Sequence, residues 1–331
     1  MKRMSTPAGL VVALLAALSF GTSGAFGKSL LDAGWSPLAA VTFRALIGGV
    51  VLLPFAIPAL KGRWIALWRA RTRLLLMALV GVAATQLLYF SAIRLIPVSD
   101  AVLIEYLAPI LMVGYVWARS RRIPKAVVIA GSVVALIGLV LVVSPAAGTS
   151  LPILGLLIAC GGALGCAVYF TIAAAPSDGV EPVALASVGL IIGSVSLGIV
   201  GATRLLPFTV SFSNVALFGG AAPWYVPLLV IGVVACGFAY ATSIAASEVL
   251  GSRLSSFMGL LEVVAAAFYA WILLGQDLRW PQLVGGLLIL GGIALVYAEK
   301  KEAALVGAPV EPGSVVKRPE PVGLATSPIE L

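Results

Sequence analysis

Four ionisable side chains fall inside long apolar stretches of this sequence: Arg44, Glu105, Glu248 and Glu262. A charge at the centre of a lipid bilayer costs ~2.5–3.5 kcal/mol on insertion scales, so such groups normally face a cavity or a partner. Removing a carboxylate from water disfavours its charged form. Glu105 and Glu262 are therefore candidates to load and release protons or to pair with a cationic substrate. The alternative is structural, with each carboxyl bonded between packed helices. Arg44 could bind an anionic substrate group, pair with a glutamate, or bond carbonyls between helices. Glu248 and Arg253 flank an expected turn and are expected to pair there. Polar side chains accompany these charges: Gln86 and Tyr89, Tyr106 beside Glu105, Tyr169, and Tyr240 with Thr242. Gln86 and Tyr89 are three apart and share a helix face. Taken singly each fits packing or interface anchoring; as a set they suggest one polar pocket.

Other chemistries have no residues to run on. The chain has no histidine, which excludes histidine proton relays, histidine metal sites and Ser-His triads. Cys160, Cys166 and Cys236 form neither a CxxC pair nor a disulfide framework and lie in apolar runs. No Walker A, GxSxG or HExxH pattern occurs, so direct ATP hydrolysis is unsupported. No catalytic residue, metal or cofactor is expected.

The elements that hold these residues must lie in lipid. Of 331 residues, 61% are hydrophobic and only 10% charged, and mean hydropathy is +1.13. Soluble domains carry ~25% charged residues, and this chain could not cover a water-facing surface. Each crossing of a ~30 Å hydrocarbon core takes ~20 apolar residues. Apolar windows predict ten helices, near 7–27, 36–57, 74–95, 99–118, 126–144, 152–175, 182–203, 225–246, 252–274 and 281–298. The N-terminal run is expected to remain as a first helix rather than to be a cleaved signal. On this reading Glu262 lies ~15 Å and Glu105 ~9 Å into their helices, at 1.5 Å per residue.

The net charge of +8 does not indicate nucleic acid, because the basic residues cluster between apolar runs. Alternate connections, at 61–73 and 119–125 with Arg253 and both termini, hold most of them. The other side has only Lys28, Arg94, Arg204 and Arg279. The positive-inside rule then puts both termini in the cytoplasm of a cell whose inner membrane holds the protein.

A duplication is also legible. Gly34, Pro37 and Gly48 recur as Gly179, Pro182 and Gly193 at an offset of 145 residues. Further along each half the offset is 154: Gly131 and Gly138 match Gly285 and Gly292, Ala92 matches Ala246, and Pro109 falls on Val263. A repeat of five helices is odd, so the second copy enters the membrane inverted, as in many transporters. The expected fold is an all-α membrane protein of ten transmembrane helices in two inverted five-helix repeats, 1–145 and 151–298. A polar, Pro- and Gly-rich extension at 299–331 is expected to be disordered. The segment 204–224, with Phe208, Phe212, Phe218 and Trp224, reads as an interfacial loop or a lid. Gly161 with Gly165 and Gly189 with Gly193 are small-xxx-small pairs for close helix packing.

These stretches resemble the EamA family of the drug/metabolite transporter superfamily over about residues 8–298. Ala40-Val-Thr-Phe-Arg44-Ala-Leu-Ile-Gly48 is similar to that family's second helix. Ser99-Asp-Ala-Val-Leu-Ile-Glu105-Tyr-Leu-Ala-Pro109 is similar to its fourth. Leu261-Glu262-Val263-Val-Ala, continuing to Leu274-Gly275-Gln276, resembles its ninth, and Trp280-Pro-Gln-Leu-Val-Gly285 the start of its tenth. Two departures stand out: Val263 occupies a usual proline, and Gln276 a usual glutamate. The resemblance implies ten helices in two inverted domains. It leaves substrates open among amino acids, sugars, nucleotide-related metabolites and toxic cations.

Together these readings predict a secondary transporter, most simply an exporter of a small amino-acid-like or amphipathic metabolite working by alternating access. Protons are a candidate coupling ion. An uncoupled facilitator is the alternative, with a membrane enzyme or scaffold further off. Glu105, Glu262, Gln86, Tyr89, Tyr106, Tyr240 and Arg44 are the candidates for substrate or proton binding. The partners expected are a small molecule and the lipid bilayer, not nucleic acid, and a monomer or homodimer would serve.

Overall fold

The computed structural model describes residues 4–96, 98–121, 124–143, 152–176, 179–217, 219–274 and 279–306. The first helices are α1 (Thr6–Asp32), α2 (Pro37–Leu60), two short turns α3 (Trp64–Arg69) and α4 (Arg71–Leu76), and α5 (Thr85–Leu95). Next come α6 (Val98–Glu105), α7 (Ala108–Ser120), α8 (Ala126–Val143), α9 (Ile153–Ala173) and α10 (Pro182–Ala202). After a hairpin of β1 (Val215–Leu217) and β2 (Gly220–Ala222), the chain forms α11 (Tyr225–Leu229), α12 (Ala239–Gly259), α13 (Leu261–Leu274) and α14 (Trp280–Val306). Two π-helical stretches, Met77–Ala84 and Val230–Phe238, join α4 to α5 and α11 to α12.

Among the described residues seven helical segments are long and apolar enough to cross a bilayer: Thr6–Asp32, Pro37–Leu60, Arg71–Leu95, Ile153–Ala173, Pro182–Ala202, Tyr225–Gly259 and Trp280–Glu299. Their outward faces carry large apolar side chains such as Phe55, Leu157, Ile199 and Leu287, each more than half exposed. Only lipid can cover them. This is a multi-pass membrane protein.

Three segments expected as full spans are shorter. Ala126–Val142 is one apolar helix of lesser length. The other two are interrupted: the helix near 99–118 breaks after Glu105 and resumes at Ala108, and the one near 252–274 breaks at Leu260. Pro109 at the start of α7 accounts for the first interruption. The second has no proline, but the backbone is already non-helical at Gly251, with φ 77° and ψ 163°. The helix at the carboxyl end runs on to Val306, into the stretch expected to be disordered, while 307–331 lie outside the described residues.

Local signals start several helices. Ser36 caps α2 by accepting from Ala39 N at 3.2 Å, and Pro37 and Pro182 occupy first helical positions. The turns before them pass through Gly34 (φ 98°) and Gly179 (φ 86°), a region other residues adopt at a cost.

Packing is by close approach of small residues. Helix α2 lies along α10, α8 along α14, α1 along α12 and α13, and α5 along α9. A Cβ on Gly138 would sit 2.6 Å from the Gly285 carbonyl, and one on Gly285 2.5 Å from that of Gly138. Ser187 and Ser194 on α10 donate to the Gly49 and Thr42 carbonyls of α2 at 2.8 and 3.0 Å. Gly161 packs on Leu88 and Gly193 against Ala78 and Val82, so both small-residue pairs act within the bundle.

The segment 204–224 is neither loose nor a plain loop. Its backbone is strapped to the α1–α2 turn: Trp35 Nε1 donates to the Ser211 carbonyl at 2.7 Å, and Ser36 N to that of Thr209 at 3.0 Å. Trp35 packs against Phe43 and Trp224, and Phe43 against Phe208. Phe218 lies outside the described residues. Trp35→Phe keeps the ring contacts and strands the Ser211 carbonyl. It should lower stability by about 1 kcal/mol and speed tryptic cleavage after the already exposed Arg204 by loosening the strap, measured by thermal unfolding in detergent and limited proteolysis.

Candidate functional site

A cavity lies inside the bundle. Its wall is drawn from α1, α2, the helix spanning 71–95, α6, α9, α12 and α13. Arg44, Gln86, Tyr89, Glu105, Tyr106, Tyr240 and Glu262 all line it. Residues remote in sequence thus meet around one space.

The two acids enter it from the broken helices. Glu105 is the last residue of α6, and Glu262 stands in the first turn of α13. Neither is mid-helix, as the hydropathy windows implied. They reach the cavity from opposite helix ends, hence against backbone dipoles of opposite sign. Both are partly accessible from the cavity rather than sealed in packing, and they lie within electrostatic reach of each other and of Arg44.

Arg44 is 1% exposed, the largest fully buried side chain described. Its Nη1 donates to Ser23 Oγ at 3.0 Å and Gln86 Oε1 at 2.8 Å, and its Nη2 to the Ala235 carbonyl at 3.1 Å. The guanidinium carbon sits 5.4 Å from the Phe90 ring centre. Of the roles open to it, bonding between helices is the one the contacts display: Arg44 ties α2 to α1, α5 and the second π stretch. It forms no salt bridge with Glu105 or Glu262.

Tyr240 plays a mirrored part. Its hydroxyl donates to the Gly81 carbonyl at 3.2 Å, in the first π stretch. Gly81 and Ala235 are separated by the same 154 residues as the repeat. A π stretch departs from the regular i→i−4 ladder, and here a side chain from another helix bonds one carbonyl in each stretch. Four rings continue the wall: Phe20 on Tyr240 at 5.2 Å, Tyr240 on Tyr169 at 5.5 Å, and Tyr169 on Phe170 at 5.2 Å, all edge-to-face.

Two expectations are corrected. Glu248 pairs not with Arg253 but with Arg73, at 3.2 Å, and Arg253 pairs with Glu299. Arg73 also donates to the carbonyls of Ile172 and Pro176 at the end of α9. Sequence neighbours on opposite sides of the Gly251 kink point apart, which separates the two. Thr242 bonds the Phe238 carbonyl of its own helix and is absent from the cavity wall.

The wall also includes Phe20, Ser23, Cys166, Phe170, Ser243, Ser247 and Ser255, which the sequence reading passed over. The repeat offset was a usable signal for Ser243, which matches Tyr89 as Tyr240 matches Gln86. Small hydroxyls and apolar rings in hydrophobic helices give no such signal. Among the described residues no group of three or more Cys, Asp or Glu could hold a metal ion.

Comparison with known proteins bears on the family and the fold. The EamA-like transporter family matches residues 7–144 and again 153–298. An uncharacterized inner membrane transporter of Salmonella typhimurium, YicL, is 25% identical over 311 residues, covering 91% of this chain and 98% of that protein. An uncharacterized transporter of Archaeoglobus fulgidus is 24% identical, covering 86% of this chain and 95% of its own. The Bacillus subtilis uncharacterized transporter YvbV is 26% identical, with 82% and 86% covered. A solved crystal structure shares the fold at a TM-score of 0.72 and 18% identity, over 90% of this chain and 99% of that one.

Proposed function

The chain belongs to the EamA-like transporter family and is a membrane transporter rather than an enzyme, and from that premise we propose that it is a secondary transporter. It exports a small amino-acid-like or amphipathic metabolite by alternating access. Residues 1–145 and 151–298 form two inverted five-helix halves, ten crossings in all, with both termini in the cytoplasm and the inner membrane as location. The broken segments at 98–120 and 261–274 count as crossings on this reading, because interrupted helices are tolerated where they line a cavity.

Paired contacts support the inverted halves. A Cβ on Gly48 would meet the Gly232 carbonyl at 2.9 Å, and one on Gly193 would meet that of Ala78 at 2.9 Å. Gly48 and Gly193 differ by 145 and Ala78 and Gly232 by 154, the two repeat offsets. The Gly131–Gly292 and Gly138–Gly285 approaches exchange in the same way. The two π stretches stand at matching places, as do the helix breaks at 106–107 and 260. A fused pair of halves of this kind can work as a monomer.

One observation carries the functional reading: Glu105 and Glu262 converge on a single cavity walled by both halves. Carboxyls so placed can exchange a proton for substrate, which gives antiport driven by the proton gradient. A ligand-stabilisation screen in detergent against amino acids, nucleosides and organic cations selects the transported compound. Its flux is then measured in proteoliposomes with and without a pH gradient. Glu105→Gln and Glu262→Gln should each reduce gradient-driven flux at least tenfold. Retention of that flux in both variants defeats antiport and favours the uncoupled facilitator.

A further inference from the structure

The charged residues lining the cavity are Arg44, Glu105 and Glu262; its other ionisable side chains are four tyrosines and Cys166. An arginine keeps its charge in proteins. With both carboxyls ionised, one guanidinium stands against two carboxylates, and one negative charge is left unmatched in a space where water screens poorly. One positive charge completes it.

The wall says what kind. Phe20, Tyr240, Tyr169 and Phe170 form an unbroken run of edge-to-face rings along one side. Aromatic faces attract cations by up to about 2 kcal/mol when water is excluded. Ser247 and Ser255, 0% and 4% exposed and on the same wall, have hydroxyls without any partner. A buried hydroxyl left so is costly, and an occupant with a polar group would satisfy it. An anionic occupant is disfavoured by the two acids, and both terminal nitrogens of the guanidinium that would receive it are committed to Ser23, Gln86 and the Ala235 carbonyl, which leaves only its Nε without a partner.

We propose that the substrate is an organic monocation, an amine or quaternary ammonium bearing an apolar or aromatic body, held between Glu105 and Glu262 against the ring wall. It competes there with one proton, so exchange is one for one. On binding, at most one proton leaves the carboxyl pair for water. This deepens the transport reading and rests on its cavity, but it is tested by equilibrium binding, which needs no transport.

The full-length protein in detergent is titrated with benzyltrimethylammonium, which has no proton to give, and with phenylalanine, phenylacetate and benzamide as zwitterionic, anionic and neutral counterparts. The cation should bind at least tenfold tighter than any counterpart. Glu105→Gln and Glu262→Gln should each weaken it at least tenfold, and proton release should not exceed one per cation bound. Absence of cation binding, equal binding of phenylalanine or phenylacetate, indifference to both glutamates, or release of two protons overturns the proposal. The ligand comparison on the unmutated protein stands even where a variant fails to fold. Cation binding without flux in liposomes would leave the proposal upheld and sink the transport mechanism instead.

Discussion

Arg44→Leu will cost this protein at least about 3 kcal/mol of stability. Two buried groups and the half-buried Gln86 Oε1 lose their donor at once, the other two being Ser23 Oγ and the Ala235 carbonyl. Each stranded buried polar group costs about 1–3 kcal/mol, more when its partner was charged. Lipid and apolar packing offer no substitute, and the leucine cannot reach the three helices that the guanidinium joins. Arg44→Lys restores the charge but not the fork, since an ammonium cannot serve partners in three directions with the same geometry. It should recover only part of the loss. Thermal unfolding followed by size-exclusion in detergent orders the three proteins as Arg, Lys, Leu. A leucine variant as stable as the parent would mean that Arg44 does not hold the bundle together.

Gly138→Ile is the second large effect, about 3 kcal/mol, at the upper end of what overpacking usually costs. The new Cβ would fall 2.6 Å from the Gly285 carbonyl and 2.8 Å from the Ile289 amide. Both are backbone atoms of a helix, so no side chain can swing away and α8 must part from α14. The symmetric crossing at Gly131 and Gly292, where added Cβ atoms would stand 3.0 and 2.6 Å from the facing carbonyls, then opens with it. Gly114, with nothing within 4 Å of its notional Cβ, is the matched control. Gly114→Ile should leave the unfolding midpoint nearly unchanged, whereas Gly138→Ile lowers it and increases aggregation on size-exclusion. Equal midpoints for the two variants would show that the α8–α14 crossing is not tight.

Much of the candidate site is legible in the sequence. Ionisable residues are rare in apolar stretches because lipid penalises them, so a short roster held Arg44, Glu105 and Glu262. Gln86 and Tyr89 followed from their shared helix face. All seven candidates line the one cavity. Harder to read were the positions of the acids along their helices. Hydropathy windows average over a break, so 252–274 reads as continuous although it is interrupted at Leu260. Val263 replaces the proline that would ordinarily explain a kink, yet the break comes nearby all the same. The strap at 204–224 was likewise hidden, because its bonds to Trp35 and Ser36 span 176 and 173 residues.

The sequence by itself determined that the chain lives in lipid and carries few ionisable residues in its apolar stretches. Those properties depend on composition and spacing, which are local and survive without a fold. The tertiary structure alone decided what each charge does. Arg44 became a clasp because the fold brings the Ala235 carbonyl, 191 residues away in a π stretch, within reach of its guanidinium. Tyr240 found Gly81 across 159 residues for the same reason. Glu105 and Glu262 remained unpaired with Arg44 and open to the cavity. Hydrogen bonds depend on direction and reach, and in this bundle only the crossing of distant helices sets either.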